Sequence, residues 1–265
     1  MYLSSGPYKG VLMKPELYEN IFKRKSFHLF VNVGKEKLSE EELEDIKKAY
    51  EEFVPLDSSI KTKIRIVPEH DTNTHVGAEY CILMYSETKE GYLQNIGYLG
   101  QQLDLYLVSK GIGSLWYGMG KTDDPAYEGL EYVIMFCIRK IKDDSSFRKD
   151  VFKSKRKEIS EIWEGNEIKG VTDIARFAPS AVNSQPWLVK RDGDALNVYR
   201  YRKAKFFSMF PADKAAYFNR IDMGIFLCVL ELCLTHEGQL FERELVPGDN
   251  GYDELSLNAK YVLKK

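Results

Sequence analysis

The sequence predicts an α+β chain of two half-domains, each a small antiparallel-type sheet flanked by helices around a central apolar helix. Three observations carry that expectation. Short apolar runs bounded by charge, Tyr80–Tyr85 and Tyr132–Ile138, have the length and flanks of buried strands. Two long apolar stretches, from Tyr92 to Lys110 and from about Ala215 to His236, have the length of helices. The halves also repeat. Asn95-Ile-Gly97 precedes Gly111 by fourteen residues, and Asp222-Met-Gly224 precedes Gly238 by the same fourteen. Tyr132-Val133 and Tyr261-Val262 then follow those second glycines by 21 and 23 residues. A pseudo-two-fold repeat of this kind divides the chain into 1–145, a charged and basic linker at 146–157, and 158–265.

Taken in order, Leu17 to Lys25 predicts a short helix ending in the basic cluster Lys23-Arg24-Lys25-Ser26. Ser39 with Glu42 forms a capping-box pattern that opens an acidic amphipathic helix to about Phe53. Lys63 to Val67 alternates as a strand does, and Gly111 closes the helix from Tyr92 as a left-handed stop. In the second half, a helical approach from Val171 to Phe177 meets Pro179, which discourages further helix. Strands follow at Leu196–Tyr201 and near Ala259–Leu263, with an aromatic loop, Phe206 to Phe210, between them.

A net charge of -2 gives no electrostatic case for nucleic acid or an anionic membrane. The four cysteines all lie in apolar runs with no CxxC pair, the pattern of buried thiols in a reducing compartment. Met1 to Gly10 has no apolar signal-peptide core, and the longest apolar stretch, Ile221 to Leu234, contains Asp222 and Glu231 and is too short to span a bilayer. A soluble cytoplasmic protein is expected. His70 and His75 lack a helical setting for a metal pair, so no metal is expected, and Walker A, GxSxG and HExxH motifs are absent.

Chemistry-bearing residues gather in four places. Between Ala175 and Trp187, Ser180, Asn183, Ser184 and Gln185 follow Pro179 in quick succession. Short hydroxyl and amide groups beside exposed backbone N–H can bond the edge of a planar polar ligand, although ordinary turns share this composition. The other places are Arg24 to Phe30, Gly111-Ile-Gly-Ser-Leu-Trp-Tyr-Gly118, and Lys153-Ser-Lys-Arg-Lys157.

Ala178-Pro-Ser-Ala-x-Asn-x-Gln-Pro-Trp187 resembles the flavin-edge motif of the nitroreductase family of FMN-dependent oxidoreductases. The resemblance implies that Pro179, Ser180, Ala181, Asn183 and Gln185 meet the ring edge. Arg24-Lys25-Ser26, followed by Phe30, is similar to the family's Arg-Arg-Ser-x-Arg-x-Phe element that grips the FMN phosphate, with His28 where the family has a further basic residue. Gly111–Gly118 is similar to the GLGSxWxG turn, which would place Trp116, Tyr117, Gly118 and Met119 at the ring, with main-chain N–H near flavin N5. The run Lys153–Lys157 resembles a late basic element of the phosphate site, with Lys155 and Arg156 as its residues.

Family members are usually homodimers with FMN between subunits. Here the phosphate and N5 elements lie in one half and the edge loop in the other, which the resemblance explains as a monomeric fused pseudo-dimer with one FMN per chain. The implied activity is reduction of nitroaromatics, quinones or similar flat acceptors by NAD(P)H, in a ping-pong cycle with no catalytic side chain. Dehalogenation, modification of a bound flavin, and a flavin-binding sensor without turnover remain alternatives. Met209, with Phe206, Phe207 and Phe210, fits a substrate cover and a core role equally.

Overall fold

Helices that are apolar on every side must be buried on every side, and two such helices set this architecture. The computed structural model of the chain describes residues 8–9, 14–201, 212–246 and 255–264. The aromatic stretch Phe206–Phe210, with Met209, lies outside these described residues. The helices are α1 (Asn20–Lys23), α2 (Glu40–Glu51), α3 (Tyr92–Ser109), α4 (Ile159–Ile162), α5 (Thr172–Ala175) and α6 (Ala212–His236). The strands are β1 (Tyr8–Lys9), β2 (Thr62–Pro68), β3 (Tyr80–Ser86), β4 (Ile112–Tyr117), β5 (Ala126–Tyr127), β6 (Leu130–Lys140), β7 (Trp163–Glu164), β8 (Trp187–Asp192), β9 (Ala195–Tyr201), β10 (Leu240–Leu245) and β11 (Leu255–Lys264).

One sheet runs β2-β3-β6-β4, antiparallel throughout, with β5 paired to β6. The other runs β1-β10-β11-β9-β8-β7 and is antiparallel except where β7 meets β8. Strand β3 explains its unbroken apolar sequence by facing two cores: Ile82 and Met84 enter the main core, while Cys81, Leu83 and Tyr85 enter a second one behind the sheet. In the other sheet β9 buries alternate residues only, with Leu196 and Val198 inward. The main core draws on both sheets and both long helices.

At the centre α3 and α6 cross in backbone contact. A Cβ on Gly97 would lie 2.0 Å from the Ile221 carbonyl oxygen, and one on Gly224 would lie 1.9 Å from that of Gln94. Both helices then end alike, with Gly111 at φ 67° and Gly238 at φ 70°. The Ser39–Glu42 capping box is present, Glu42 N–H donating to Ser39 Oγ at 3.2 Å and Ser39 N–H to Glu42 Oε2 at 3.0 Å.

Two boundaries differ from the sequence expectation. Strand β1, within the expected 1–145 unit, pairs with β10, within the expected 158–265 unit. The stretch expected as a linker is packed: Phe147 is buried edge-on against Phe27, and Val151 is buried in the main core. Isolated apolar residues in a charged run are invisible to composition, yet Phe147 and Val151 each find a core, while Phe152 between the run's charges stays exposed. No described helix is long and apolar enough to cross a membrane.

The crossing makes a direct prediction. Gly224→Ala forces a methyl into a carbonyl that belongs to a rigid helix, so it should destabilise the protein by about 3 kcal/mol or more, at the upper end of overpacking costs. Gly97→Ala should do the same. Chemical denaturation checks this, and an unchanged midpoint in both variants refutes the crossing.

Candidate functional site

A cavity of about 690 Å³ is within the range of small-molecule and cofactor sites. One wall is Arg24, Ser26 and His28 after α1, with Trp116, Tyr117, Gly118 and Met119 at the end of β4. The facing wall is Pro179, Ser180, Ala181, Val182 and Asn183, with Arg156 beside it. Ile134, Phe218, Ile221 and Ile225 supply apolar lining.

Twelve of the fifteen residues singled out in the sequence therefore line one cavity, although up to about 160 residues separate them. Three do not. Lys25 turns outward, its ammonium donating to the Ser146 carbonyl at 2.9 Å and lying over the Phe27 ring. Lys155 contributes only its carbonyl, which accepts from Asn183 Nδ2 at 3.1 Å. Gln185 is buried and braces the loop: its Oε1 accepts from Lys157 N–H and its carbonyl from Lys157 Nζ, both at 2.9 Å. The Gly111–Gly118 octet, expected as a turn, is strand β4 as far as Tyr117.

Positive charge is concentrated at one end, where Arg24, Arg148 and Arg156 all line the cavity. Arg24 Nε donates to the buried Asp104 Oδ2 at 2.7 Å. Arg148 Nε donates to the Arg24 carbonyl at 2.9 Å, and its Nη1 bonds Ser154 Oγ. Arg156 Nη1 reaches Asn183 Oδ1 at 3.0 Å, and its Nη2 the Phe177 carbonyl at 3.2 Å. Burial, with repulsion from Arg24, Arg148 and Arg176, pushes Arg156 down to about 10. It stays charged at neutral pH, and an anion bound there would relieve both the burial and the repulsion.

The opposite wall is strained. Val182, Asn183 and Gln185 have φ of 45°, 57° and 47°, a region that a β-branched residue such as Val182 rarely enters. Local bonds hold it: Gln185 N–H donates to Ser180 Oγ at 2.9 Å, and Ala181 N–H to Asp222 Oδ1 at 2.9 Å. The Asn183 side chain, expected at a ligand's edge, is bonded to Lys155 and Arg156.

Sequence reasoning missed Arg148, Asp104 and Asp222. Arg148 carries no signal in its charged surroundings. Both aspartates had one, a carboxyl among apolar neighbours in a long helix. Asp222 is buried at the cavity wall, and burial pushes its carboxyl from 3.8 up to about 8, against the hydrogen bonds from Ala181 and Ser184.

A folded-state value raised above the unfolded one makes the folded chain hold a proton that the unfolded chain releases. Stability therefore falls as pH rises from about 4 to about 8 and is flat above that. Asp222→Asn keeps an acceptor for Ala181 and removes the ionisation. Its stability should change less with pH over that window, measured by denaturant titration at pH 5 and pH 8. Parallel profiles for the two proteins would refute the assignment.

Comparison with known proteins gives the family. No curated protein matches the chain. A crystal structure described as a putative nitroreductase from Thermotoga maritima is 17% identical and covers 99% of this chain and 98% of its own, with a TM-score of 0.58, so the fold is shared. Another, described as a putative NADH dehydrogenase/NAD(P)H nitroreductase from Bacteroides thetaiotaomicron, is 13% identical over 57% of this chain and 98% of its own, with a TM-score of 0.41. The family model described as "Putative TM nitroreductase" matches residues 16–234, well over half of the chain. The chain belongs to that nitroreductase family of oxidoreductases.

Proposed function

We propose that the cavity binds FMN and that the protein uses NAD(P)H to reduce nitroaromatics, quinones or similar flat acceptors. The observation that carries this reading is the convergence of Arg24, Arg148 and Arg156 on one end of an apolar and aromatic cavity. Guanidinium forks suit a phosphate monoester, and aromatic and aliphatic walls suit a flat ring system. The donor set fits FMN: Arg156 Nε is buried with no hydrogen-bond partner among the described residues, an unmet need beside the anion end.

Hydride acceptance from NAD(P)H and delivery of the electrons to a second substrate are the chemistry that FMN supplies when bound. The chain's own residues bind and orient. The three arginines hold a phosphate, and the Gly118–Met119 main chain offers N–H groups beside the space for a ring. Gly118 has no room for a side chain, since a Cβ would lie 2.7 Å from Phe218 Cε1. Asp222 holds its proton on a carboxyl at the cavity wall. A ping-pong cycle follows if both substrates use the same face in turn. The four buried free thiols suit a reducing, cytoplasmic setting.

Pairs of contacts at equal offsets support the fused-repeat reading. Asn95 Oδ1 accepts from Asp57 N–H at 3.0 Å as Asp222 Oδ1 accepts from Ala181 N–H at 2.9 Å, each acceptor two residues before its crossing glycine. Seven residues after those glycines stand Asp104 and Glu231; five after Gly111 and Gly238 stand Trp116 and Arg243. Where Trp116 lines the cavity, Arg243 is buried, donating to Glu231 Oε1 at 2.6 Å and to the Leu56 carbonyl at 2.9 Å. The mirror position is thus filled by protein.

One FMN per chain, in a monomer, is the expected stoichiometry. Flavin quantified against protein, with mass from light scattering, checks it; two flavins per chain, or flavin retained only in a dimer, contradicts it. Steady-state NAD(P)H oxidation with a panel of acceptors tests turnover, and a flavin-loaded protein that oxidises no NAD(P)H would be a sensor instead. Arg24→Ala should weaken FMN by about 1.5–3 kcal/mol, roughly one to two decades, and riboflavin far less. Equal losses for both ligands assign Arg24 to structure.

A further inference from the structure

We propose that Asp104 is a positioning residue for the anion end of the cavity: its carboxylate fixes Arg24 by Nε alone, so that both terminal nitrogens of that guanidinium serve the ligand. This inference rests on the FMN reading and goes beyond it, since Asp104 does not line the cavity.

Asp104 is fully buried in α3. A carboxylate there is costly unless it is paired and hydrogen-bonded. It is, and every partner leads to the site. Arg24 Nε donates to Oδ2 at 2.7 Å, Trp116 Nε1 donates to the same oxygen at 3.2 Å, and Ser114 Oγ bonds Oδ1. Arg24 belongs to the anion end, while Trp116 belongs to the strand that leads into Gly118 and Met119. One turn earlier on α3, Gly100 makes room for the indole, since a Cβ there would lie 2.4 Å from Trp116 Cη2. A single helical turn therefore locates both Arg24 and Trp116.

The counterpart on α6 shows what a purely structural version looks like. Glu231 is also buried in an apolar helix and also takes three donors, from Arg243, Tyr98 and Tyr261. There the arginine fork is consumed, with Nη1 on Glu231 and Nη2 on the Leu56 carbonyl. Arg24 is held the other way. Nε takes the carboxylate, and no described hydrogen bond engages its terminal nitrogens. The difference is which nitrogen the acid takes, and it leaves one fork open to the cavity. Asp104 also offsets one of the three guanidinium charges there, and the positive charge that remains is opposite in sign and close in magnitude to a phosphate monoester dianion at neutral pH.

The test is a double-mutant cycle read as binding, using FMN and riboflavin titrated against apoprotein. Asp104→Asn keeps the shape and an acceptor but weakens the hold on Arg24. FMN affinity should fall about tenfold, riboflavin affinity less than about twofold, since a neutral acceptor is roughly half as strong as a charged one. In an Arg24→Ala background the same change should add less than about twofold, because Asp104 acts through Arg24. Equal losses for the two flavins, or effects that multiply independently, overturn the proposal. If Asp104→Asn does not fold, Arg24→Lys decides. A lysine keeps the charge but cannot hold Asp104 and offer a fork, so its preference for FMN over riboflavin should drop to the Arg24→Ala level. A wild-type preference retained in Arg24→Lys refutes positioning. A wild-type protein that binds neither flavin removes the functional reading itself, a result distinct from either.

Discussion

The backbone-to-backbone crossing of α3 and α6 at Gly97 and Gly224 is the constraint on which the other parts depend. Helices that touch at their main chains are fixed in separation and rotation, because neither contact surface can rearrange as a side chain would. Every residue at a set offset from the crossing then has a set place. Two residues before each glycine, Asn95 and Asp222 pin the loops at Asp57 and Ala181. Seven residues after, Asp104 and Glu231 gather arginines and aromatic side chains. Fourteen after, Gly111 and Gly238 turn the chain toward β4 and β10. The two walls of the cavity are therefore built from one rigid joint.

Three carboxyl groups inside two apolar helices show three ways of tolerating a buried acid. Glu231 is locked in an internal ion pair with Arg243, whose guanidinium it holds well above the usual arginine value despite burial. Asp104 shares its cation with the cavity. Asp222 has no cation among its bonded partners in the described residues, and burial raises its carboxyl to about 8. The arginine end carries the opposite tension, with like charges crowded into a partly dry space. Such an arrangement is poor for stability and well suited to an anion, the kind of conflict that marks functional sites.

Strain in the facing loop has the same character. Three successive-neighbourhood residues with left-handed backbone would cost of order 1–3 kcal/mol each if unsupported. Support comes from the stretch that composition marks as a linker. Lys155, Arg156 and Lys157 bond Asn183 and Gln185, so the basic run both shapes the loop and places Arg156 in the cavity.

Local chemistry determined a good deal by itself. The capping box at Ser39, the left-handed stop at Gly111, the strands at 62–68 and 80–86 and the span of α3 follow from neighbours within a few residues. The repeat of spacing around Gly97 and Gly224 marked the two long helices as alike without saying that they cross, and the motif residues pointed to much of the cavity lining. Only the tertiary structure decided which members face inward. Lys25 and Arg24 are adjacent and alike in charge, yet one meets a carbonyl in solvent and the other a buried carboxylate 80 residues away. Likewise Phe147 and Val151 pack, Arg148 joins the anion end, and Asp222 stays protonated. Burial, pairing and the direction of a side chain are set by partners distant in sequence. A single chain read in order carries its turns and periods, but those partners meet only when the two helices close on their glycines.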